Sequence, residues 1–214
     1  MTRLSRFQRL ALLTASTTVI TGGALLPSTA FAAPAPQTTS VVSVTDADGA
    51  DSSADWKVTT DTASGIKVEL PGQPGIKEFT EAKDGNDGRF YMVPTDYGVV
   101  SFAVFDSPSG TEDQPWDMKG ILREFLVGAN EGLHSPDDKI RSTNLREDTT
   151  ADGRHALEAD LDSNKGDAGQ IRMVDLGDRL IMTVTLGSRD AKDTMKADHD
   201  QLVDSVRLPG GKAP

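Results

Sequence analysis

The sequence predicts an α+β domain in which one antiparallel β-sheet is flanked by two helices. Three observations point there. Two apolar stripes recur at helical spacing, one mid-chain and one near the C-terminus. The segments around them alternate apolar and polar residues as half-buried strands do. Turn pairs of Gly with Asp or Asn separate those segments at short intervals, as hairpins require.

Taken in order, Trp56 and Val58 open a first strand, and Gly65 turns the chain into Ile66, Val68 and Leu70, which alternate with Lys67 and Glu69. Pro71-Gly72-Gln73-Pro74 ends that strand. A short strand is expected over Ile76–Thr80, and the turn cluster Asp84-Gly85-Asn86-Asp87-Gly88 leads into another at Phe90–Val93. In Val99–Phe105, Val100, Phe102 and Val104 share one face, while Val99, Ala103 and Phe105 share the other with Ser101. Two apolar faces predict a central strand covered on both sides.

A helix follows over Pro115 to Leu133. Met118, Ile121, Leu122, Phe125, Leu126 and Ala129 form a single stripe, with Asp113 as N-cap, Pro115 inside the first turn and Gly132 as stop. Four strands come next. Asp152-Gly153 joins Ile140–Leu145 to His155–Leu161, Asn164–Asp167 turns into Gln170–Val174, and Gly177-Asp178 turns into Leu180–Leu186. The last helix, Ala191 to Val206, turns Met195, Leu202, Val203 and Val206 inward, and Arg207 suits its C-terminal end. The predicted order is three or four strands, a helix, a four-stranded meander and a helix.

Around this domain, residues 1 to about 32 read as a cleavable secretory signal. Arg3, Arg6 and Arg9 precede an apolar stretch from Leu10 to Leu26, Pro27 breaks it, and Ala30-Phe31-Ala32 offers small residues for cleavage after Ala32. The stretch is short and diluted by Thr and Gly, so an uncleaved spanning helix is the poorer reading. Its arginines are not adjacent, which favours the general secretion pathway. Residues 33–54, rich in Pro, Ala, Thr, Ser and Asp, read as a disordered linker, 55–209 as a single domain, and 210–214 as a flexible tail. With no Cys, neither lipidation nor a disulfide is available, and the domain must be stable from its core alone. The expected location is extracellular, with the protein released freely.

The chain carries a formal charge of −11, and removing the three signal arginines takes it to −14. Such a balance repels nucleic acid and anionic membranes.

No motif marks a site. His134, His155 and His199 have no second His or Cys at metal-ligand spacing. His155 shares parity with Leu157, Ala159 and Leu161 and is expected to top a core-facing row. Asp160-Leu161-Asp162-Ser163-Asn164-Lys165-Gly166-Asp167 begins like a calcium loop. However, Lys165 stands where Gly is needed and Ile171 where the bidentate Glu belongs. Glu158 and Asp160, with Arg154 on the same strand face, stand roughly 7 Å apart by strand rise, within the range of an inverting carboxylate pair. Adjacent acids on a half-exposed strand are equally ordinary. There is no Gly-x-Ser-x-Gly elbow, no His-Glu-x-x-His and no phosphate loop, and Ser107-Pro108-Ser109-Gly110 reads as a turn. Trp56 and Trp116 read as core or rim anchors that would line a pocket if they met at one end of the sheet. No catalytic, cofactor-binding or metal-binding residue is therefore assigned, and no cofactor is expected.

The run Gly65-Ile66-Lys67-Val68-Glu69-Leu70-Pro71-Gly72-Gln73-Pro74 behind Trp56, followed by helix, meander and helix, resembles PsbP-like proteins. The resemblance spans about Asp55 to Leu208. It implies an α/β/α sandwich and a family of binding rather than catalytic proteins, with photosystem accessory subunits, Ran-binding import factors and secreted bacterial members. It carries no functional residue set onto this chain. The expectation is a secreted, non-catalytic domain that binds a protein partner at or outside the cell envelope. The alternatives are a binder of a small amphipathic or lipid ligand between sheet and helix, or an uncharacterised secreted hydrolase.

Overall fold

The structure, a computed structural model, describes residues 55–80, 87–107, 114–211 and 213–214. The expected signal and linker, Asp84 to Asn86 of the turn cluster, Asp113 and Pro108 to Gly110 lie outside the described residues.

Among the described residues each of the five segments expected before the mid-chain helix forms a strand, where the predicted order counted three or four: β1 (Lys57–Thr60), β2 (Lys67–Leu70), β3 (Gly75–Thr80), β4 (Asp87–Thr95) and β5 (Gly98–Asp106). Helix α1 (Met118–Ala129) leads to β6 (Arg141–Thr149), β7 (His155–Asp162), β8 (Asp167–Asp175) and β9 (Arg179–Ser188). A 3₁₀ turn at Arg189–Ala191 then enters α2 (Lys192–Ser205). β1 and β2 form their own antiparallel hairpin, and the other seven strands form one sheet in the order β3-β4-β5-β9-β8-β7-β6. Every neighbouring pair is antiparallel. Two meanders, β3–β5 and β6–β9, are thus joined along the single seam between β5 and β9.

The two-faced pattern of β5 is realised as two cores. On one face Ala103 and Phe105 join Leu157, Leu161, Met173, Leu180 and Met182 beneath the α1 stripe. On the other, Val100, Phe102 and Val104 join Ile66, Val68 and Leu70 around the hairpin, Leu202 of α2 and Val206 just beyond it. Leu157, Met173 and Leu180 are fully buried, each contributing about 1.5–3 kcal/mol by leaving water. The result is three layers: α1, the sheet, and α2 with the β1–β2 hairpin.

Helix α1 starts three residues later than the expected Pro115, at Met118, the first residue of its stripe. Tertiary bonds hold Trp116 outside it: its N–H reaches Asp175 Oδ2 at 3.0 Å and its indole Nε1–H reaches Gly177 O at 3.2 Å. Asp117 is the N-cap, accepting from Gly120 N–H at 2.9 Å. The helix also stops early, at Ala129, where Asn130 turns its amide to both backbone groups of Ile140. α2 ends at Ser205 rather than Val206, with Arg207 bonding the carbonyls of Asp204 and Val206. Val203 is half-buried, not inward as its stripe predicted.

β6 runs four residues beyond the expected Leu145, and its register breaks between Thr143 and Arg146. Asn144 there takes φ +50°, and Leu145 points outward, 45% exposed. This bulge bends an edge strand away from further pairing.

Candidate functional site

The face of the sheet that carries α2 is covered unevenly. The β1–β2 hairpin seals it over β4 and β5 and α2 lies along β9 and β8, while beyond α2 the positions of β6, β7 and the near part of β8 that face the same side are mostly polar. The strand register places them in rows. Thr143, Asp160, Gln170 and Thr185 are successive cross-strand partners, as are Arg146, Glu158, Arg172 and Thr183. The next row, Asp148, Ala156, Val174 and Ile181, turns apolar.

These rows run beside α2 as a trough. A cavity of about 350 Å³ lies at its upper end, lined among others by Asp160, Ala168, Gln170, Lys192, Met195 and Lys196. A second cavity of about 240 Å³ lies at its lower end, lined by Arg172, Val174 and Thr183 of the sheet, Val203 of α2 and the C-terminal Ala213 and Pro214.

Between the two, Glu158 accepts from Arg172 Nη1 at 2.5 Å and lies 3.5 Å from Arg146 Nη2. Asp160 accepts from Asn144 Nδ2 at 2.8 Å. Both carboxylates of the suggested inverting pair are thus engaged as acceptors within the sheet. Arg154 is not part of this cluster. It precedes β7 and pairs with Asp152 at 2.6 Å. The calcium-like loop spends its oxygens likewise. Asp167 accepts from Ser163 Oγ, Asn164 bonds Asp137 and Arg141, and Lys165 pairs with Asp138 at 2.9 Å. Among the described residues no three or more His, Asp or Glu converge as a metal-binding group would.

The histidines separate. His134 is exposed beyond α1. His155 is exposed as well, contrary to its expected place in a core row, because it is the first residue of β7 and lies beyond the end of the core. His199 is 6% exposed, buried under the inner wall of the trough with its Nδ1 3.4 Å from Thr185 Oγ1. Burial pushes its pKa down to about 4, with Arg172 and Lys196 adding to the shift against Asp200 and Asp160. It is therefore a neutral imidazole near pH 7.

The second polar cluster is buried and absent from the sequence reading. Asp61, at the end of β1, is 1% exposed and accepts from Arg89 Nε at 2.6 Å, from Tyr91 Oη at 2.7 Å and from the backbone N–H and hydroxyl of Ser64. Arg89 continues to Asp106 at 2.5 Å, which also receives Arg179 at 2.9 Å. Burial works to raise the Asp61 carboxyl, but the bonds from Arg89, Ser64 and Tyr91 outweigh it and hold the group below the usual carboxylate range. This network fastens the hairpin to the sheet. Its one signal in the sequence was Arg89 at core parity with Tyr91 and Val93. Gln170 gave no signal at all.

The tryptophans do not meet. Trp116 belongs to the α1 core, and Trp56 packs against the core on the opposite face.

No protein-family model and no curated protein matches the sequence. Among solved structures, the solution structure of cyanobacterial PsbP (CyanoP) from Synechocystis sp. PCC 6803 matches at TM-score 0.50 and 16% identity, covering 76% of this chain and 98% of that one. The fold is PsbP-like: an antiparallel sheet with a helix layer on each side.

Proposed function

We propose that the chain is an exported, non-catalytic binding module that holds a protein partner outside the cytoplasm, across the open face of β6–β8. One observation carries this reading: a three-layered fold leaves the β6–β7 side of one sheet face beyond the cover of its hairpin and helix. The uncovered side is set with Arg146, Arg172, Glu158 and Asp160 in ordered rows rather than closed by apolar side chains. The two cores fill the space beneath α1 and beneath the hairpin, and the cavities beside α2, of about 350 and 240 Å³, are small for a lipid. That packing favours a surface contact over a lipid held inside. Among the described residues no helix is long and apolar enough to cross a membrane. Cleavage after Ala32 is part of the proposal, and N-terminal sequencing of protein recovered from the host's medium should begin at Ala33.

The test is affinity capture and cross-linking from envelope and medium of the host. The chain is compared with a Thr143→Arg/Arg146→Glu variant of the open face and an Arg123→Glu variant on the exposed side of α1. A partner retained by the wild type and the α1 variant but lost by the open-face variant supports the reading. Equal retention by all three removes the open face from it, and no partner in either fraction ends it.

A further inference from the structure

The upper end of the trough holds a set of groups that, Asp160 apart, the partner face does not use. Gln170 contributes the only buried side-chain polar atom among the described residues without a hydrogen-bond partner, its Oε1. An amide oxygen shut away without a donor is destabilising until something donates to it. The terminal torsion of Gln is soft, so a rotation turns this oxygen into the cavity that Gln170 lines. Facing it, Lys192, Met195 and Lys196 occupy one side of α2, as residues three and four apart must. Lys196 is committed to Asp200 at 2.6 Å. The guanidinium of Arg189, at the rim, is committed to the carbonyls of Ser163 and Asp167. Lys192 makes no ion pair and no hydrogen bond through its ammonium among the described residues. The cavity therefore presents a free cation on the helix wall, an unsatisfied acceptor on the sheet wall with the Asp160 carboxylate beside it, and buried Ala168 and Met195 between them.

We propose that this cavity binds an α-carboxylate with a nitrogen donor on the adjacent carbon, that is, a free amino acid or the C-terminal residue of a peptide. The carboxylate meets Lys192, the N–H or ammonium meets Gln170 Oε1 and Asp160, and a small apolar side chain rests on Met195 and Ala168. Other ligand classes satisfy only part of the set. A phosphate leaves Gln170 without a donor and confronts Asp160 and Asp162. A neutral sugar leaves Lys192 unpaired, and a nucleobase finds no aromatic side chain among the lining residues. A volume of about 350 Å³ lies at the small end of ligand sites, fitting one or two residues and not an acyl chain. The inference stands whether or not a protein covers the rest of the open face.

The test is a titration of the isotope-labelled full chain with L-leucine, N-acetyl-L-leucine and L-leucinamide, followed by amide chemical shifts. Saturable shifts confined to residues 168–170 and 189–196 with leucine or N-acetyl-leucine, and none with leucinamide, are expected. Leucine alone identifies a free amino acid as the ligand, and N-acetyl-leucine binding at least as tightly identifies a chain end. Lys192→Ala, on an exposed position that the fold does not use, should weaken binding about tenfold, and Gln170→Leu should weaken it as well. Leucinamide binding as tightly as leucine, an undiminished affinity in Lys192→Ala, or no saturable shift with any of the three overturns the proposal.

Discussion

Arg89 donates its Nε–H to Asp61 across 2.6 Å, with the arginine side chain 8% exposed and the aspartate fully enclosed. The pair joins the β1–β2 hairpin to the sheet where no backbone ladder does. Removing one partner strands the other charge in the core. Arg89→Met should destabilise the domain by about 3–5 kcal/mol in urea denaturation, and adding Asp61→Asn should recover part of the loss. A double mutant no better than the single one would show that the guanidinium acts by packing alone.

The same carboxylate sets an acid limit. The Asp61 pKa is depressed on folding, so its contribution to stability is complete above the unfolded value of 3.8 and is lost as pH falls below it. Denaturation midpoints should fall between pH 4 and 2, and the Asp61→Asn variant should show a shallower decline there.

His199 acts over a different range. Its pKa of about 4 in the folded chain lies below the unfolded 6.5, so the unfolded chain takes up the proton first as pH falls. Stability should be full above pH 6.5 and decline by up to about 3 kcal/mol by pH 4, with no further change from this group below. Arg172, Lys196, Asp200 and Asp160 surround it, so His199→Gln is the cleanest control and should flatten the curve over that interval.

Gly187 faces Gly98 across the β5–β9 seam. A Cβ on Gly187 would stand 2.1 Å from the Tyr97 carbonyl oxygen, backbone that cannot swing aside. Gly187→Ala should cost about 1–3 kcal/mol and lower the melting temperature. Gly75→Ala, whose nearest neighbour would be 3.8 Å away, should change stability by less than about 0.5 kcal/mol.

Much of this fold could be read from local pattern. The alternation in Val99–Phe105 announced a strand between two cores, and the Met118–Ala129 stripe announced a helix facing one of them. What escaped was decided by distant residues. Asp117, not the expected Asp113, caps the helix, and Asp175 and Gly177, some 60 positions away, keep Trp116 out of it. Arg141–Thr149 lacks an apolar rhythm because its strand is an edge held by β7. Asp61 looks like any acid in a polar turn until β4 is folded beside it. The trough was invisible for the same reason: Gln170 and Lys192 become neighbours of one cavity only when α2 lies along β8.

The β5–β9 seam also fixes when the molecule can be finished. Asp106 and Arg179, paired across it, are 73 positions apart, and nothing else in the sheet joins the two meanders. Each meander can form from neighbouring segments, but neither has a closed core until β9 and α2 arrive. A chain emerging from a ribosome or threading a narrow channel thus stays pliable until its last few dozen residues are out. It then locks late, which is the order of events that the proposed export requires.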